Sequence, residues 1–167
     1  MKLAVFVHHA AEGALAAAVA FDEWDASEPT RSCTARVDAA ARTARGEPDL
    51  RDLPALLGLL REHALTPELI VIDGFVHLDA QETPGPGWHL HRALGGRIAV
   101  IGVSKTALPG LPAQFQVCRE TETRPLVVTC IGIDLGAAKA RLRAMHGKRR
   151  VPTLLKLVAR IAKAPAP

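Results

Sequence analysis

The chain of 167 residues contains no tyrosine, and aromatic residues make up only 4% of it. A protein that binds single strands by stacking bases on rows of exposed rings is therefore not expected. The three cysteines, Cys33, Cys118 and Cys130, form no CxxC motif. This disfavours a disulfide scaffold and a sulfur-ligated metal, and it fits free thiols in a reducing compartment.

Long apolar runs are also absent, since none approaches the roughly 20 residues that a membrane span needs. The apolar run at the N-terminus ends at His8 and His9, too early for a signal-peptide core. We therefore expect a soluble, cytoplasmic protein with no membrane contact. The length predicts a single domain over residues 1–163, followed by a frayed tail over 164–167.

Acidic residues are missing from one end of the chain. Residues 1–134 carry 12 Lys/Arg and all 17 Asp/Glu, a charge of −5, whereas residues 135–167 carry nine Lys/Arg and no acid, a charge of +9. The basic pI of about 9.3 therefore describes the C-terminal part of the chain. Such a concentration of cations favours an anionic partner.

The hydrophobic pattern changes period along the chain. It predicts a hairpin of strands Leu3–Val7 and Ala14–Phe21, then a third strand and a loop, with helices and buried strands following in alternation. Asp134 is predicted to cap a helix, and Pro152 to lie in the first turn of the last one. This order predicts an α/β fold with a mixed sheet covered by helices. The remaining predicted elements are a strand at Cys33–Val37, a loop at Arg36–Pro48, a helix around Leu50–Leu60, a strand at Glu68–Asp73, a helix at Trp88–Leu94, strands at Arg97–Val103 and Leu126–Ile133, a helix from Asp134 to Met145 and a last helix ending at Lys163.

Candidate functional residues lie where strands and helices end. Asp73 ends a buried strand and precedes Gly74, and Lys105 follows the next buried strand, where a cation suits phosphate. His146 is followed by three cations and a new helix, which suits an anion. A simple turn or a solvated charge explains each of these alone. No Gly-rich phosphate loop is present, so no nucleotide cofactor is expected.

Five strings in order resemble the endonuclease V family, and together they cover nearly the whole chain. The strings are Asp73-Gly74, Pro84-x-x-Gly87-x-His89-Leu90, Ile101-Gly102-Val103-x-Lys105, Arg124-Pro125-Leu126-x-Val128-Thr129 and Met145-His146-Gly147-x-x-Arg150-x-Pro152-Thr153. The resemblance implies a ribonuclease H-like fold. It also implies magnesium-dependent hydrolysis of a phosphodiester near deoxyinosine in DNA or inosine in RNA, a reaction of DNA repair.

The resemblance also implies roles for individual residues. Asp73 corresponds to a metal-binding carboxylate, Lys105 to a lysine that contacts phosphate, and His146 to a late histidine of the site. Two positions depart from the family. Phe6 replaces a carboxylate on the first strand and supplies no oxygen ligand, and Asp52 replaces a longer glutamate, so that it would reach a metal through water.

Other residues near the first strand are possible substitutes for the lost ligand. His8 shares the strand face of Phe6, and Glu12 lies on the adjoining turn. His8 and His9 cannot both face the same way, so one of them is expected to be buried or paired. A weakened site would hold Mg²⁺ or Mn²⁺, with histidine favouring the softer ion.

The loop that probes the lesion in the family also departs here, because Arg42 and Arg45 replace its aromatic ring. This removes an intercalating group and adds affinity for phosphate. Arg42, Arg45, Lys148, Arg149 and Arg150, together with Lys105, are therefore predicted to contact DNA or RNA.

Three hypotheses follow from these residues. The chain is an endonuclease V-like nuclease with a weakened metal site, or a catalytically inactive relative that binds nucleic acid or a protein partner. The third hypothesis reuses the pocket for other chemistry on a small molecule or peptide.

Overall fold

Seven strands form one mixed sheet in the computed structural model, which describes residues 1–38, 49–119 and 123–164. The strands are β1 (Lys2–Ala10), β2 (Gly13–Phe21), β3 (Arg31–Val37), β4 (Leu69–Asp73), β5 (Ala99–Ser104), β6 (Gln116–Val117) and β7 (Leu126–Ile131). The helices are α1 (Asp52–Glu62), α2 (Pro86–Ala93), α3 (Leu135–Ala144) and α4 (Thr153–Lys163), with a short 3₁₀ helix at Ala113–Phe115.

The strand order β3-β2-β1-β4-β5-β7-β6 combines an antiparallel meander with a parallel centre. Strands β1, β4 and β5 run parallel, so their carboxyl ends meet at one edge of the sheet. The last pair between β1 and β4 joins Ala4 and Val71, and Phe6 and Asp73 each lie two residues beyond it on their strands. The central strands therefore place these two residues side by side.

Helices cover both faces of the sheet, and a separate hydrophobic core lies under each layer. Leu56 and Leu59 of α1 and Leu90 of α2 pack on Ile70 and Ile72 of β4. On the opposite face, Leu142 of α3 and Leu154 and Val158 of α4 pack on Val71 and Ile101. The predicted ribonuclease H-like mixed sheet with helices on both faces is confirmed.

The predicted order of elements is confirmed in the described residues, with differences at their ends. Arg36 and Val37, which the predicted strand and the predicted loop share, belong to β3, because Arg36 pairs with Leu15 of β2. Helix α2 begins at Pro86, two residues before the predicted start, since proline is tolerated in a first turn. Strand β6 was not predicted, because two residues give no readable period. The rest of the predicted loop, 39–48, and tail residues 165–167 lie outside the described residues.

The chain that follows β4 crosses closely over β5. Gly74 has a φ of +139°, and its carbonyl oxygen would lie 2.6 Å from a Cβ at Gly102. Only a glycine at position 102 leaves room for this crossing. The Val76 amide then donates to Thr129 Oγ1 at 2.8 Å, so the loop behind Asp73 is held in place.

No helix in the part of the chain that the structure describes is long and apolar enough to cross a bilayer. The predicted cytoplasmic location stays a prediction.

Candidate functional site

Asp73 lies at the carboxyl edge of the sheet between helices α1 and α4. A small cavity of about 70 Å³ opens toward α1, and we call it the α1 cavity. A cleft of about 400 Å³ opens toward α4, and we call it the α4 cleft. Phe6 and Asp73 line both spaces, so the two central strands form a common wall between them.

The α1 cavity contains a paired carboxylate. Asp52 begins α1, and its Oδ1 accepts a hydrogen bond from His9 Nε2 at 2.5 Å. His9 reaches Asp52 because it shares the face of β1 with Val5 and Val7, which pack toward α1. The expectation that one of the two histidines is paired is confirmed. Asp52, predicted to bind a metal through water, instead has one oxygen engaged by this imidazole.

The α4 cleft is basic. Lys156, Arg160 and Lys163 project into it from α4, and Lys105 lies at the end of β5. These three residues of α4 are spaced four and three positions apart, so they fall on one helical face. Val151, Leu155 and Ala159 supply apolar surface between them. Asp73 is the one acidic residue among the described residues that line the cleft.

The carboxyl group of Asp73 experiences opposing influences. Asp73 is exposed at the mouth of the cleft, but desolvation by the surrounding protein raises its pKa. The charge of Asp52 acts in the same direction, whereas the cations Lys105 and Lys163 act to lower the pKa. Both lysines therefore lie close enough to act electrostatically on this carboxylate.

Phe6 contacts a cation from the end of α4. The Lys163 Nζ atom lies 4.9 Å from the centre of the Phe6 ring. An ammonium group at this distance from an aromatic face is attracted to its π electrons. The position at which the resemblance implies a metal-binding carboxylate therefore carries a ring with a protein cation beside it.

The turn after α3 is held by a buried arginine. Arg119 is 2% exposed, and its guanidinium donates to four backbone carbonyls. The acceptors belong to Leu142, Met145, Gly147 and Arg149. Arg119 therefore fixes the path of the segment that carries His146 and the cations Lys148, Arg149 and Arg150. We call this segment the basic turn.

The basic turn does not present all its cations to solvent in the same way. Lys148 and Arg149 have exposed side chains, and their contact with nucleic acid stays a prediction. The guanidinium of Arg150 instead donates to the carbonyls of Lys105 and Pro125, both at 2.8 Å. Arg150 therefore connects the turn to the end of β5, because its planar group suits two adjacent acceptors.

His146 is exposed, and its Nδ1 lies 2.9 Å from Thr153 Oγ1. It does not line the α4 cleft. The structure therefore brings Asp73, Lys105 and Phe6 together, with His146 on a neighbouring turn.

The predicted substitute ligands lie elsewhere. His8 and Glu12 line a third cleft of about 660 Å³ beside the β1–β2 hairpin, and neither lines the spaces next to Asp73. Arg42 and Arg45 lie outside the described residues.

Comparisons with known proteins agree with this architecture. No protein-family model matches the chain, and no curated protein matches it in sequence. Solved endonuclease V structures match it in fold. The enzyme from Bacillus subtilis is 16% identical, with a TM-score of 0.75 over 96% of this chain and 78% of that one. This is the endonuclease V fold.

Two further endonuclease V structures support this assignment. The protein from Streptomyces avermitilis is 23% identical, with a TM-score of 0.74 over 97% of this chain and 79% of its own. Endonuclease V from Ciona intestinalis, in complex with a 24mer DNA containing an inosine followed by a ribo-adenosine, is 15% identical. Its TM-score is 0.74 over 97% of this chain and 84% of that chain.

The endonuclease V fold raises the question of a metal at Asp73. No group of three or more His, Cys, Asp or Glu side chains could hold a metal ion within residues 1–38, 49–119 and 123–164. Mg²⁺ and Mn²⁺ favour several hard oxygen ligands. Here Phe6 provides none, Asp52 is paired with His9, and two lysines act on Asp73. These side chains do not fit the ion.

Sequence reasoning missed Arg119, and it did not assign Lys156, Arg160 and Lys163 to a site. The spacing of 156, 160 and 163 on a predicted helix was a usable signal, because it places three cations on one face. Arg119 gave no such signal, since its acceptors are backbone carbonyls of a distant turn.

Proposed function

We propose that this protein is a divergent member of the endonuclease V family that binds the phosphodiester backbone of DNA or RNA without metal-dependent cleavage. The observation that carries the proposal is the α4 cleft, in which four cations surround one carboxylate. A concave site of this charge attracts a polyanion, and its apolar floor accommodates sugar or base surface.

The charge distribution supports a backbone contact. Nine Lys/Arg and no acid lie in residues 135–167, and the exposed Lys148 and Arg149 extend the basic surface beyond the cleft. Contacts of this kind position a nucleic acid but do not read its sequence. We therefore expect affinity that depends strongly on salt and weakly on base sequence.

The absence of cleavage follows from the side chains around Asp73. Asp52 is paired with His9, two lysines act electrostatically on Asp73, and the ring of Phe6 contacts one of these lysines. Lysines can stabilise a bound phosphate, but they do not replace a divalent ion that activates water.

Fluorescence anisotropy with labelled DNA and RNA oligonucleotides, each with and without inosine, tests the proposal. Binding is expected in EDTA, and the products on a gel should show no cleavage in Mg²⁺ or Mn²⁺. An active endonuclease V run in parallel verifies the substrates. Cleavage by the wild-type protein in either metal would overturn the proposal.

A pair of matched variants locates the binding surface. Lys156→Gln/Arg160→Gln should lower affinity and reduce the slope of log K against log salt by about 2, roughly 1 per phosphate contact. The control Arg61→Gln/Arg97→Gln removes the same charge at the far end of α1 and ahead of β5, and should change affinity less than about twofold. Equal losses in both variants would contradict binding in the α4 cleft.

A further inference from the structure

Phe6 and Lys163 form a contact that the proposed function does not itself require. Register places Phe6 beside Asp73 at the sheet edge, and Lys163 is the last residue of α4. The Lys163 ammonium lies 4.9 Å from the ring centre. A positive charge is thus built into the protein at the junction of β1, β4 and α4.

Lys163 and Lys105 approach Asp73 from different elements. Both act electrostatically on its carboxylate, although neither forms an ion pair within 4 Å among the described residues. Both side chains are exposed. Two ammonium groups therefore face the cleft, and one carboxylate offsets half of their charge.

The identity of residue 6 determines whether Lys163 stays available. A carboxylate at this position would lie close enough to pair with the ammonium and neutralise it. A phenyl ring attracts the cation through its π electrons without neutralising its charge. The aromatic substitution therefore keeps the positive charge of Lys163 free for a ligand.

We propose that Phe6 and Lys163 form a metal-independent phosphate site, in which the Lys163 ammonium, together with Lys105, binds one phosphodiester group beside Asp73. This inference rests on the proposed function, because the phosphate belongs to the bound nucleic acid. It assigns to a protein side chain the charge that a divalent ion supplies in metal-dependent sites.

A restored metal site should require changes at both residue 6 and residue 163. Phe6→Asp alone should pair the new carboxylate with Lys163 and bind Mn²⁺ at most weakly. Phe6→Asp/Lys163→Met removes one competing cation and places a new carboxylate near Asp73, so Mn²⁺ should bind more tightly to this double variant than to Phe6→Asp alone. Mn²⁺ binding measured by calorimetry and by electron paramagnetic resonance needs no enzymatic activity as a readout.

The first experiment measures affinity for a labelled DNA oligonucleotide in EDTA and in 1 mM Mn²⁺. Wild-type affinity should be the same in both. Lys163→Met should lose about five- to tenfold, with a salt slope lower by about 1. Phe6→Asp should lose a similar factor, and Phe6→Leu, which removes the π contact without adding a charge, should lose a smaller part of the affinity. Circular dichroism melting verifies that each variant is folded.

The outcomes separate this inference from the proposed function. If Lys163→Met binds as tightly as wild type while Lys156→Gln/Arg160→Gln is impaired, the proposed phosphate site is wrong. Binding of nucleic acid in the α4 cleft would still be supported. Mn²⁺ binding by wild-type protein, or by Phe6→Asp alone as tightly as by the double variant, would likewise overturn the inference. If no variant and no condition gives binding of nucleic acid, both proposals fail.

Discussion

The α1 and α4 sides of Asp73 differ in whether their charged groups have close partners within the protein. On the α1 side, the carboxylate of Asp52 accepts a hydrogen bond from His9 at 2.5 Å. On the α4 side, the cations Lys105, Lys156, Arg160 and Lys163 line an open cleft. A charge that is satisfied within the protein contributes to local structure, whereas a charge without a close partner is available to a ligand. We therefore expect nucleic acid to bind on the α4 side of Asp73.

The largest expected effect comes from the buried residue that supports the basic turn. Arg119→Met leaves four backbone carbonyls without their donor, and should lower the free energy of unfolding by about 3 kcal/mol or more. Urea denaturation measures this loss. Arg124→Met, at an exposed position nearby, is the control and should cost less than about 0.5 kcal/mol. Equal losses of stability in the two variants would contradict the expectation that the buried Arg119 contributes more than the exposed Arg124.

A smaller change, this time in DNA affinity, is expected at Asp73, and its direction distinguishes a phosphate site from a metal site. Asp73→Asn removes the one carboxylate among the described lining residues of the α4 cleft. Affinity for DNA should therefore rise about two- to fivefold at low salt. A metal-dependent site predicts the opposite, because it would lose a ligand. Anisotropy titrations in EDTA and in Mg²⁺ distinguish the two, and a loss of affinity confined to Mg²⁺ would indicate that Asp73 binds a metal.

The stability of Asp73→Asn relative to the wild-type protein should also depend on pH. The raised pKa of Asp73, caused mainly by desolvation, means that the folded state holds the proton more tightly than the unfolded state. The stability that this carboxyl group contributes to the wild-type protein therefore falls as the pH rises from the pKa of the unfolded state to the higher pKa of the folded state. The melting temperature of Asp73→Asn relative to wild type should increase across this acidic window and become constant at higher pH. A difference independent of pH would contradict the desolvation.

The smallest effects are expected on the α1 side. His9 and Asp52 are 27% and 43% exposed, so Asp52→Asn or His9→Ala should lower stability by less than about 1 kcal/mol. Affinity for nucleic acid should stay within about twofold, since this pair lies outside the α4 cleft. Thermal melts and anisotropy measure both. A tenfold loss of affinity in either variant would extend the binding site across Asp73 to α1.

Much of the fold could be predicted because it depends on local pattern. The apolar runs of β1, β2, β4, β5 and β7 and the period of α1 are readable along the chain. Strand ends such as Asp73 and Lys105 follow from those runs, and parallel strands bring them to one edge. Strand β6 and the first residues of α2 were missed, since short elements and proline-containing ends carry weak patterns.

The candidate site could be predicted only in part, for a physical reason. Composition placed the charge at the C-terminal end of the chain, and the resemblance to endonuclease V drew attention to Phe6 and Asp52. Which histidine pairs with Asp52 depends on the strand face that α1 covers. The alternation of β1 separates His8 from His9, but it does not reveal on which side the helix packs.

The amino-acid pattern alone indicated the order of strands and helices and the strand-end position of Asp73, and the resemblance to endonuclease V implied that Phe6 stands where the family has a carboxylate. Tertiary structure alone decided that Lys163 lies against Phe6, that His9 pairs with Asp52 and that Arg119 supports the turn of His146. Each of these contacts joins residues far apart in the chain. Local hydrophobic period records which face of an element is buried, but not which distant side chain meets it there.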